Sequence, residues 1–123
     1  MSSLPEQMRA RTKRFALDVV GLFRLMPKTD EARIMGKPLL RAGTSVAANY
    51  RAACRARSRA EFIAKIGTVI EESDETVFWL ELLREGGIVT KDHTESLLAE
   101  ANEHLAIFAA SSKTAKIRRD SLH

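Results

Sequence analysis

An all-α fold, built as an up-down-up-down bundle of four antiparallel helices, is predicted by three observations. Apolar residues recur at three- and four-residue spacing through four long segments. No alternating strand pattern and no Asn-Gly or Asp-Gly hairpin signal interrupts them. Turn signals at Pro27, Arg57 and Gly86 leave only short connections, which set consecutive helices antiparallel.

The first segment carries Met8, Phe15, Val19, Leu22 and Met26 on one face and ends at Pro27. Thr29 or Asp30 can cap the second, whose stripe reads Leu39, Gly43, Val46, Tyr50 and Ala53. Pro38 falls inside that pattern, so a kink or a late start near Gly36 is expected. Ser58 and Glu61 form a Ser-x-x-Glu capping box ahead of Phe62, with the Ser58 hydroxyl accepting near Glu61 and Glu61 reaching back to Ser58. The third helix then runs through Phe62, Ile66, Val69, Ser73, Thr76, Leu80 and Leu83 to Gly86 and Gly87. At a rise of 1.5 Å per residue it spans roughly 40 Å. Thr90 or Asp92 opens the fourth, which carries Leu97, Leu98, Ala101, Leu105 and Phe108.

A chain of 123 residues with 45% hydrophobic and 29% charged residues is expected to fold as one domain around one core. Residues 1–112 are assigned to the bundle, and 113–123 read as a basic, flexible C-terminal extension. The longest runs without a charged residue, such as Ala42 to Tyr50, fall far short of the roughly 20 apolar residues of a membrane span. With no signal-peptide pattern and a single cysteine, Cys54, the expected location is the cytoplasm.

No catalytic constellation is legible. Helical di-iron sites need inward Glu-x-x-His pairs, whereas His93, His104 and His123 follow Thr90, Ala101 and Asp120 at that spacing. These histidines read as surface or core-edge residues. Glu71, Glu72, Asp74, Glu75, Glu81 and Glu85 outline a helix face, and Cys54 sits among alanines with no neighbouring histidine. The expectation is a protein without enzymatic activity, metal, cofactor or small-molecule substrate.

The net charge of +4 permits contact with nucleic acid, and its distribution carries more information than its sum. Arg41, Arg51 and Arg55 fall within roughly 80° of one helical face at 100° per residue. With Arg57 and Arg59 they form the candidate phosphate-binding set, since arginine holds phosphate bidentately. The competing reading pairs these arginines with the Glu-rich third helix of the same or a neighbouring chain, and the sequence leaves both open. Phe78, Trp79 and Leu82 lie beside or outside the main stripe of the third helix and form the candidate interface between copies.

The run Arg41-Ala42-Gly43-Thr44-Ser45-Val46, followed by Asn49, Arg57-Ser58 and Glu61-Phe62, resembles the bacterial 23S rRNA intervening-sequence protein family. That family also includes accessory proteins of diversity-generating retroelements. The run from Glu71 to Leu83 is similar to one branch, and the likeness extends over roughly residues 8 to 111. Where many members have Ile-Ala-Glu-Gly after the asparagine, this chain has Tyr50-Arg51-Ala52-Ala53, a more basic face. The resemblance implies a left-handed, non-enzymatic bundle that assembles into homo-oligomeric rings, with pentamers as the expected form.

Overall fold

The computed structural model describes residues 2–121. Four helices run through them, α1 Leu4–Leu25, α2 Asp30–Cys54, α3 Arg59–Glu85 and α4 Lys91–Ser121. Each begins at a side-chain oxygen that accepts from the first turn: Ser3 from the Glu6 N–H at 3.3 Å, Thr29 from Ala32 at 3.3 Å, Ser58 from Glu61 at 3.1 Å and Thr90 from His93 at 3.3 Å. Glu61 also turns back, but onto the Arg57 N–H at 3.2 Å rather than that of Ser58, so the predicted box closes one residue early. At the far end of α3, Gly87 takes a φ of 73°, and the N–H groups of Ile88 and Val89 donate to the Leu83 carbonyl at 3.0 and 3.3 Å. That turn drops Val89 into the core.

Two glycines set how closely α1 and α2 approach. A Cβ on Gly43 would stand 3.0 Å from both γ-methyls of Val19, and one on Gly36 would stand 2.9 Å from the Met26 sulfur. Val19 thus meets Gly43 while the later Met26 meets the earlier Gly36, which makes the pair antiparallel. Contacts join α1 to α2, α2 to α3, α3 to α4 and α4 back to α1, leaving α1 and α3 on one diagonal and α2 and α4 on the other. This is the predicted four-helix bundle.

The core divides into two levels. Phe15, Val19, Leu22, Leu39, Leu80 and Leu83 lie toward the α1–α2 turn, and Met8, Val46, Tyr50, Ile66, Val69 and Phe108 lie toward the α2–α3 turn. Each large side chain here contributes about 1.5–3 kcal/mol by leaving water, so the fold rests on these levels more than on helix propensity.

One expectation is corrected. The second helix does not start late: it runs unbroken from Asp30 with Pro38 inside it. Pro38 lacks the N–H that would bond the carbonyl of Ile34, and Ile34 lies on the exposed face of the helix, 70% exposed, while Gly36 and Leu39 bury the opposite face. The fourth helix itself continues through residues 113–121, with Ser112 and Ala115 its last buried residues. They continue the stripe of Ala101, His104 and Phe108 in small or polar residues that a hydrophobicity pattern does not register. Positions 122 and 123 of the predicted extension, the latter being His123, lie outside the described residues.

Candidate nucleic-acid interface

The close approach of α1 and α2 leaves a groove of about 720 Å3 along their outer side toward the α2–α3 turn. Small residues, Ala10, Ala47 and Ala48, keep it open, and Arg9 and Lys13 from α1 and Arg51 and Arg55 from α2 line it. Arg51 and Arg55 also border a second depression of about 390 Å3, shared with Arg57 and Lys65. The one carboxylate there, Glu61, is engaged by the Arg57 backbone N–H and by Lys65 at 3.9 Å. Among the described residues, no carboxylate pairs with Arg9, Lys13, Arg51, Arg55 or Arg57 within 4.0 Å, although ion pairs elsewhere in the molecule are numerous. Unpaired cations of one sign along a groove raise the local anion concentration and suit a backbone of repeated phosphates.

The groove's one hydroxyl is already satisfied. The Thr44 hydroxyl donates to the carbonyls of Leu40 at 2.8 Å and Arg41 at 3.1 Å. Beneath the half-buried Cys54, Tyr50 stacks on Phe108 with ring centroids 5.3 Å apart. Burial pushes its phenol far above the ordinary range, with Cys54 adding to the rise and Arg9 opposing it, so Tyr50 stays neutral. What the groove presents is positive charge with little to read a base by stacking.

The five arginines chosen from sequence separate into three groups. Arg51, Arg55 and Arg57 come together as predicted. Arg41 does not join them: its guanidinium holds Glu75 at 2.6 Å and Glu72 at 3.2 Å on α3, the internal pairing. Those bonds hold the Glu75 carboxyl below its ordinary value. Arg59 opens α3 and faces a different groove, which it shares with Leu4, Phe62 and Arg118. Spacing along one helix does not reach Arg9 and Lys13, because only the packing of α1 on α2 brings the two helices' cations together.

The interface candidates divide as well. Phe78 and Leu82 are 52% and 38% exposed, whereas Trp79 is half-buried against the core and its indole N–H donates to Glu75 at 3.3 Å. His104 is not at the core edge as expected but fully enclosed between Phe15 and Phe108, its Nε2 2.7 Å from Glu100. Arg11 clamps the same carboxylate through Nε at 3.0 Å and an amino group at 2.8 Å, tying α1 to α4. The signal for this cluster was the Glu100/His104 spacing of one helical turn.

Among the described residues no group of three or more His, Cys, Asp or Glu side chains is placed to hold a metal ion, and no helix is long and apolar enough to cross a membrane. The profile described as 23S rRNA-intervening sequence protein matches residues 7–110. The chain belongs to that family. A solved structure from Bacteroides thetaiotaomicron, described as a protein with unknown function from the S23 ribosomal protein family, superposes with a TM-score of 0.80 at 33% identity, covering 85% of this chain and 97% of its own. No curated protein matches the sequence significantly. The motif that carries the family likeness builds the fold here: Gly43 admits Val19, Arg41 ties α2 to α3, the Asn49 amide donates to the Ser45 carbonyl at 2.9 Å, and Ser58 with Glu61 starts α3.

Proposed function

We infer that this family member is a non-enzymatic, cytoplasmic accessory protein. In this reading it assembles into a ring of identical copies, five by the family resemblance, and holds the phosphate backbone of nucleic acid along the α1–α2 groove. The observation that carries the reading is the row Arg9, Lys13, Arg51, Arg55 and Arg57, unpaired with any carboxylate among the described residues, while Arg41 a few turns away is neutralised by two. Phosphate contacts position a nucleic acid without selecting its sequence, so binding in this mode is tolerant of sequence and steeply dependent on salt.

Titration of labelled RNA and DNA at two salt concentrations tests it. The affinity for single strands is expected to fall with salt at a log–log slope of about −0.7 per phosphate contacted. Replacing both Arg51 and Arg55 by alanine should weaken every sequence alike and flatten the slope by about 1–2. Arg41→Ala, which removes an already paired charge, should leave binding unchanged. If wild type binds nothing at low salt, or the double variant binds as well as wild type, the remaining reading is a scaffold without nucleic acid.

A further inference from the structure

Two exposed apolar patches lie on diagonal helices at the same height of the bundle. On α1, Leu17 and Leu25 are 59% and 68% exposed, and Gly21 stands between them one turn from each. On α3, Phe78 and Leu82 are 52% and 38% exposed, also one turn apart. Met8 shares a core level with Ile66 and Val69, and Phe15 through Met26 share the next with Leu80 and Leu83. The two helices therefore run in the same direction, and the stretch Leu17–Leu25 stands level with Phe78 and Leu82.

Their chemistry is complementary. Around Phe78 and Leu82 the outer face of α3 carries Glu71, Asp74, Glu81 and Glu85, none paired within 4.0 Å among the described residues, whereas Glu72 and Glu75 are taken by Arg41. Around Leu17 and Leu25 stand Arg14 and Arg24, with Asp18 as the one acid, 3.4 Å from Arg14. A Cβ at Gly21 would meet nothing within 4 Å, so no contact inside the chain requires a glycine there, unlike at Gly36 and Gly43. An exposed glycine flanked by leucines lowers the helix surface between two apolar side chains.

We propose that these patches are the two halves of one head-to-tail contact: Phe78 and Leu82 of one copy dock over Gly21 between Leu17 and Leu25 of the next. The acids of α3 then face the arginines of α1. Two different surfaces on opposite sides of one chain make a heterologous interface, which propagates around a ring when the rotation closes. The contact uses the second half of α1, residues 17–25, whereas the α1–α2 groove is lined by Arg9, Ala10 and Lys13 of its first half. It rests on the homo-oligomer reading above and supplies the surfaces that reading lacks.

Two double variants test it, Leu17→Glu with Leu25→Glu and Phe78→Glu with Leu82→Glu, each confirmed helical by circular dichroism. Light scattering should give wild type as a multiple of the 13.7 kDa chain and each variant alone as a single chain. Their equimolar mixture should double the mass to a one-to-one pair and go no further, because only one intact face of each kind remains. Either variant persisting as an oligomer, or a mixture that stays at one chain mass, overturns this interface while leaving assembly itself standing. A monomeric wild type overturns both.

Discussion

His104 is where a single side chain couples this fold to pH. It is 1% exposed, and burial lowers its pKa below the ordinary 6.5 more than its bond to Glu100 raises it. The imidazole is therefore neutral, and its Nε2–H donates to a Glu100 carboxylate that Arg11 keeps ionised below the ordinary 4.5. When pH drops below 6.5, the unfolded chain takes up a proton that the folded chain does not, so folding stability declines. Below 4.5 the Glu100 contribution is lost in turn. Urea midpoints at pH 7.5 and 5.5 should show the protein weaker at the lower pH, and His104→Gln, which keeps a donor toward Glu100, should shrink that difference. A gap of unchanged size would place the titration elsewhere. Gly43 offers a second test at this scale: a methyl there stands 3.0 Å from Val19, so Gly43→Ala should destabilise by about 1–3 kcal/mol despite its better helix propensity, read as a lower melting temperature.

Helix identity was legible in the sequence because the signals were local. Ser58 and Glu61 announced the start of α3, and Gly86 with Gly87 its end, from residues in direct contact along the chain. Pro38 misled because the cost of a proline depends on which face of the helix it interrupts, and Ile34, whose carbonyl it leaves without its usual donor, lies on the exposed one. The last turns of α4 left little signal because Ser112 and Ala115 bury surface without looking hydrophobic. Arg51, Arg55 and Arg57 could be grouped from spacing, but Arg9 and Lys13 join them only across helices, and Arg41 leaves them only because Glu72 and Glu75 lie opposite. The cap gives the clearest test of an element. Ser58→Ala should cost about 1 kcal/mol and lower the denaturation midpoint while leaving the oligomeric mass unchanged, because the lost bond lies at the α2–α3 turn, at the other end of the bundle from Phe78 and Leu82.

At the scale of the whole molecule the groove and the proposed contact use different stretches of α1, so binding and assembly can be separated. Arg9 and Lys13 line the groove in the first half of α1, whereas the exposed Leu17, Gly21 and Leu25 lie in its second half, toward the α1–α2 turn. If every copy in a ring offers the same cations, a long strand engages several grooves at once, and each further contact is made at the high effective concentration that the assembly imposes. Breaking the contact with Phe78→Glu and Leu82→Glu leaves Arg9, Lys13, Arg51, Arg55 and Arg57 untouched on the single chain. A short oligonucleotide that fills one groove should then bind the variant and wild type alike. A strand long enough to span several copies should bind the variant about 10²–10⁴-fold more weakly, the usual range for lost multivalency. Equal losses for short and long strands would mean that the groove itself is completed by a neighbouring copy, and no loss on the long strand would mean that each copy binds alone.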